Sequence, residues 1–91
     1  MIFGVYSVRD HLTGFMTPVL EQNEAVAVRN FSMACDRMKA ESSVMAWKPS
    51  DFALYQIGSF DSESGLIAPV QPPVLVCHGD SVSGGSKDGK V

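Results

Sequence analysis

Two short turn signatures, Asp10-His11-Leu12-Thr13-Gly14 and Asp61-Ser62-Glu63-Ser64-Gly65, constrain this chain more than any other feature, because each stands between runs rich in β-branched and aromatic residues. In each, the aspartate can bond its own backbone, and the closing glycine tolerates the positive φ that a hairpin with a glycine bulge requires. The flanking runs are therefore expected to be antiparallel strands: residues 2–9 returning as 15–20, and residues 52–60 returning as 66–70. Alternation places Ile2, Tyr6 and Val8 on one side of the first pleat and Phe3 and Val5 on the other. Phe52 and Leu54 likewise oppose Ala53, Tyr55 and Ile57. Pro18 cannot donate to a ladder and predicts an edge or an irregularity, and Gly58 predicts a bulge.

The hairpins agree beyond their turns. Tyr6, Val8, Asp10, Gly14, Phe15, Met16, Pro18 and Val19 correspond in order to Tyr55, Ile57, Asp61, Gly65, Leu66, Ile67, Pro69 and Val70, with Ser59 and Phe60 extra in the second. The match is too short and gapped to prove duplication, since shared turn rules generate much of it. It does predict two hairpins of similar shape, with Tyr6 and Tyr55 at equivalent positions on one sheet.

Between the hairpins, Asn23 is the expected N-cap of a helix, and Glu24 suits the positive end of its dipole. Ala27, Val28, Phe31, Ala34, Cys35 and Met38 recur at three- and four-residue steps and form one apolar stripe. The opposite side carries Arg29, Asn30, Met33, Asp36 and Arg37. Residues 40–47 have no firm period, and Pro49-Ser50-Asp51 reads as a loop or short helical turn. Pro72-Pro73 should interrupt any ladder, leaving residues 74–77 as a short fifth strand or an extended arm. The Ser-, Gly-, Asp- and Lys-rich end cannot repay the entropy of ordering, so residues 79–91 are expected to be a flexible tail after a single domain of residues 1–78.

The expected fold is therefore α+β, an antiparallel sheet of two β-hairpins with one helix on one face (ββαββ). A chain of 91 residues, 45% hydrophobic and 19% charged, has room for one modest core. Because the expected strands at residues 2–9 and 52–60 are apolar on both sides, the second sheet face needs a cover, either a twin subunit or a ligand that stacks on it.

Chemistry-bearing residues are sparse. Cys77-His78-Gly79-Asp80 holds a nucleophile, a base and an acid, but neighbours on an extended chain point in alternating directions and do not form a triad. His11 sits at a hairpin tip, where a polar residue needs no function. Two cysteines and two histidines without paired spacing do not make a zinc site, and no GxGxxG, phosphate loop or HExxH is present. An enzyme, a cofactor and a small-molecule substrate are therefore not expected. Neither a span of ~20 apolar residues nor a signal peptide is visible, which points to a cytosolic chain with no membrane partner and two free thiols. A net charge of -3 argues against strong nonspecific affinity for nucleic acid, though not against a local basic face.

Such a face could be built from Tyr6 and Tyr55 with Arg9, Arg29, Arg37, Lys39 and Lys48, since aromatic platforms beside cations hold single strands without sequence preference. Taken alone, a strand Tyr or Phe is more often core or dimer interface. Arg29, Met33 and Arg37 would form an i, i+4, i+8 row on the outer helix side, either solvated or a contact surface.

Three segments together resemble the small nonstructural protein of gokushovirus-type microviruses, which are single-stranded DNA phages. They are Val5-Tyr6-Ser7-Val8-Arg9-Asp10 with Gly14-Phe15; Ala27-Val28-Arg29-Asn30-Phe31-Ser32; and Pro49-Ser50-Asp51-Phe52-Ala53-Leu54-Tyr55-Gln56-Ile57-Gly58-Ser59-Phe60-Asp61 with Gly65. The resemblance implies a DNA-binding accessory factor in the host cytoplasm that assists the switch from duplex replication to single-stranded genome synthesis. It brings no established binding residues. Two readings therefore stand together: a homodimeric single-stranded DNA-binding protein, and a non-enzymatic homodimeric protein-interaction module for assembly or host-factor binding.

Overall fold

The computed structural model describes residues 1–39, 41 and 43–83, with Arg37 described by its backbone alone. Five strands form one antiparallel sheet: β1 (Ile2–Asp10), β2 (Gly14–Phe15), β3 (Val19–Glu21), β4 (Phe52–Asp61) and β5 (Ile67–His78). The order across it is β2-β1-β4-β5, and β3 shares the outer edge of β1 with β2. Both hairpins close as their turn residues dictate. Asp10 Oδ1 accepts from Leu12 N at 2.9 Å and Asp61 Oδ1 from Glu63 N at 2.9 Å, while Gly14 and Gly65 have φ of 101° and 77°.

The return strand of the first hairpin is not continuous. It splits into β2 and β3 around Pro18, and Ser7 Oγ donates to the Met16 carbonyl at 2.6 Å where the ladder is lost. In β4, Val5 pairs with Gly58 but Tyr6 with Gln56, so Ile57 is the extra residue of a bulge. Gly58 beside it has a second reason to be glycine: a Cβ there would stand 2.7 Å from the Ala68 carbonyl oxygen. Pro72-Pro73 does interrupt the ladder, as Gly58 pairs with Pro69 and Gln56 next with Val74. The chain then resumes on the same neighbour, so residues 74–77 continue β5 and are not a fifth strand of their own.

Helix α1 (Glu24–Ala34) starts at Asn23, whose side chain accepts from Val26 N at 3.0 Å. It lies on one face of the sheet, where Ala27, Phe31 and Cys35 pack with Tyr6, Phe52 and Leu54 in the core, flanked by Val8, Val28 and Cys77. The helix stops four residues short of the expected stripe. Asp36 accepts the Met38 amide at 2.9 Å, offering the backbone a turn in place of another helical bond, so Met38 is exposed. A 3-10 turn (Arg37–Lys39), α2 (Val44–Trp47) and a second 3-10 turn (Pro49–Asp51) then lead into β4.

The expected ββαββ arrangement with one helix is therefore corrected: α+β with an antiparallel sheet stands, but among the described residues two further short helices accompany α1. One of them, α3 (Gly79–Val82), lies where a tail was expected. Gly79 is buried against the Pro49 and Phe52 carbonyls with no room for a Cβ, and Val82 packs on the core. Residues 84–91 of that expected tail lie outside the described residues. Among the described residues no helix is long and apolar enough to cross a membrane.

Candidate nucleic-acid interface

Strand register decides which side chains share the face that α1 leaves open. Phe15 stands opposite Arg9, Arg9 opposite Ala53, and Ala53 opposite His78, so one row crosses β2, β1, β4 and β5. The neighbouring row on the same face is Ser7, Tyr55 and Leu75. The two rows bring a cation and two aromatic rings together. The Arg9 guanidinium carbon lies 5.9 Å from the Phe15 ring centroid, within cation–π range. Phe15 in turn meets Tyr55 edge-on, with centroids 5.3 Å apart and planes at 74°. Phe15 is 48% exposed, while Arg9 and Tyr55 are half-buried.

Beside this cluster opens a depression of about 170 Å³ whose polar wall is Arg9, His11, Ser50, Asp51, Tyr55 and His78. Three distant segments build it. The first hairpin loop is tied down by a bond of 2.7 Å from His11 N to the Asp51 carbonyl, and His78 ends β5 opposite Ala53. The other end of the same face is apolar: Phe3 and Phe60 pair across β1 and β4 with ring centroids 6.4 Å apart, and Leu20 and Ile67 beside them are exposed.

The expected site residues are not brought together as a set. Tyr6 pairs with Gln56 and Tyr55 with Ser7, one register position apart, so the two tyrosines point to opposite faces. Tyr6 is sealed under α1 at 3% exposure, its ring over Gly4, and offers no stacking surface. Burial, with Glu24 and Glu21 nearby, raises the pKa of its hydroxyl. Arg29 is exposed on α1, on the other side of the sheet from Arg9. It contacts Asn30 Oδ1 at 3.4 Å, and Asn30 reaches Glu21 at 3.0 Å. The row Arg29, Met33, Arg37 does not form, because α1 ends at Ala34; the Arg37 side chain lies outside the described residues. Lys39 and Lys48 are exposed on the link after α1, Lys48 next to Trp47.

Arg9 and Tyr55 are thus the expected residues that meet, and Phe15, His11 and His78 join them unforeseen. Phe15 was recoverable, because a turn that pairs Asp10 with Gly14 must pair Arg9 with Phe15. His78 was not, because the slip across Pro72-Pro73 hides the register of β5. Both cysteines are free: burial pushes the Cys35 thiol up to about 12, with Cys77 a lesser cause. The Cys77 thiol is raised by burial first and Glu24 second.

The family model described as Phage ORF5 protein matches residues 3–82, nearly all of the chain. No curated protein and no solved structure matches it. The chain belongs to the Phage ORF5 protein family.

Proposed function

We propose that this Phage ORF5 family member is a non-enzymatic DNA-binding accessory protein of a gokushovirus-type microvirus, acting as a homodimer in the host cytoplasm at the switch to single-stranded genome synthesis. One observation carries the reading: a cation and two aromatic rings, Arg9, Phe15 and Tyr55, converge on the sheet face that α1 leaves open. Stacking on such a platform is worth ~1 to 3 kcal/mol per base and tolerates any sequence. A duplex keeps its bases stacked on one another, so the platform favours single strands. With a net charge of -3 the protein has little long-range attraction for DNA, and stacking has to supply most of the affinity.

Fluorescence polarisation of a labelled single-stranded oligonucleotide, titrated with protein across a salt series, tests this. Saturable binding that changes little across the salt series, is poorly competed by duplex, and falls when Arg9 and Tyr55 are replaced by alanine supports it. Absence of binding at low ionic strength overturns it.

The apolar end of the same face favours the protein-interaction reading as a companion to this one. Phe3, Leu20, Phe60 and Ile67 carry no charge, and a second copy seated there leaves Arg9, Phe15 and Tyr55 free at the opposite end. Sedimentation should then give a dimer in the absence of DNA, and a charge at Ile67 (Ile67→Glu) should give a monomer. A monomer at all concentrations removes this part of the reading.

A further inference from the structure

The depression beside the aromatic cluster is built for more than a flat contact. Arg9 comes from β1, His11 from the hairpin loop, Ser50 and Asp51 from the turn before β4, Tyr55 from β4 and His78 from the end of β5. Its lining therefore draws on an arginine, two histidines, a serine and a tyrosine, with one aspartate and the apolar Phe52 and Ala53 among them. The Arg9 guanidinium carbon lies 5.9 Å from the Phe15 ring centroid, a cation–π contact that favours its place on this face. A guanidinium presents paired N–H groups that match two phosphate oxygens, and each imidazole adds an N–H donor. At about 170 Å³ the space is smaller than the ~300 to 1,000 Å³ of pockets that enclose drug-sized ligands, and it is open on one side. It fits one phosphate with part of its nucleoside.

We infer that this depression binds a single nucleotide unit, with the phosphate held by Arg9, His11 and His78 and the base or sugar laid against Tyr55. The inference deepens the proposed function and rests on it in one respect, the identity of the chain that carries the phosphate. Asp51 makes the inference specific. Asp51 lines the same depression and its negative charge opposes an anion, so removing that charge must strengthen binding, the reverse of what damage to the fold would do.

The test is an NMR titration of the isotope-labelled full chain with thymidine monophosphate, and in separate arms with inorganic phosphate and with thymidine. With the monophosphate, the His11 and His78 rings and the Tyr55 ring shift together along one saturating curve. Inorganic phosphate moves the imidazoles with weaker affinity, and thymidine moves only Tyr55. Arg9→Ala weakens the monophosphate by about tenfold, the loss of one charge-assisted contact. Asp51→Asn tightens it by about threefold, as removal of a nearby like charge should. Silent imidazoles, or affinities indifferent to both substitutions, overturn the pocket.

A single-stranded oligonucleotide run in parallel separates this from the broader reading. If the oligonucleotide shifts Phe15 and Tyr55 while both histidines stay still, the pocket falls and the stacking face stands. If the monophosphate fills the pocket and no oligonucleotide binds, the pocket stands and the single-strand reading falls.

Discussion

Tyr6 and Tyr55 occupy matching places in two hairpins that turn by the same chemistry, yet one is core and the other surface. Tyr6 lies under α1 at 3% exposure with Phe31 and Leu54, whereas Tyr55 lies on the open face, edge-on to Phe15. The difference arises within the second hairpin, at the extra residue Ile57 in β4. Asp61 pairs with Ile2 on the face of Tyr6, and an unbroken register would put Tyr55 opposite Val8 on that same face; the bulge moves Tyr55 opposite Ser7, and a shift of one position reverses the face. Turn chemistry therefore sets where each hairpin reverses, and the bulge in β4 sets which side chains each face receives.

The sharpest way to break this contrast is to truncate each tyrosine. Tyr6→Ala should cost about 3 to 5 kcal/mol of stability in urea unfolding, as for other large aromatic side chains removed from a core. Tyr55→Ala should cost about 1 kcal/mol or less of stability while losing ~1 to 3 kcal/mol of oligonucleotide affinity. Equal destabilisation by both would erase the distinction between core and surface.

A smaller effect comes from Gly4, over which the Tyr6 ring lies. A Cβ there would fall 2.5 Å from that ring, so Gly4→Ala should destabilise by about 1 to 3 kcal/mol and leave DNA affinity unchanged once the protein is folded. Smaller again is the cap of the helix that covers Tyr6: Asn23→Ala, which removes the bond to Val26 N, should cost about 1 kcal/mol in the same unfolding measurement.

The gentlest perturbation is alkali. Tyr6 and Cys35 both have folded pKa values raised by burial, so the unfolded chain loses these protons first. Their contribution to stability is complete below the ordinary values of 10.0 and 9.0 and declines as pH rises past them. Urea midpoints measured from pH 7 to about 11 should therefore fall at the alkaline end. Tyr6→Phe should flatten that fall.

Much of the fold was legible because it depends on local rules. Asp10 with Gly14 and Asp61 with Gly65 placed both hairpins, Asn23 placed the start of α1, and Pro18 and Gly58 marked the two irregularities beside them. What was hidden depends on contacts between distant segments. The end of α1 at Ala34 follows from an Asp36 turn competing with the helix, and α3 follows from the fit of Gly79 against Pro49 and Phe52. The site was half legible for the same reason. Arg9 and Tyr55 announced themselves by residue type, but their meeting with Phe15 and His78 depends on a sheet register that slips at Ile57 and again across residues 70–73.

The central claim is that the helix-free face, and not the helix, meets DNA. Backbone amide shifts of the full chain, followed while a single-stranded oligonucleotide is added, test it most directly. Changes should concentrate at Arg9, Phe15, Ala53, Tyr55 and His78, with Arg29 and Met33 on the outer side of α1 unmoved. Changes confined to Arg29 and Met33, or none at low ionic strength, would contradict it.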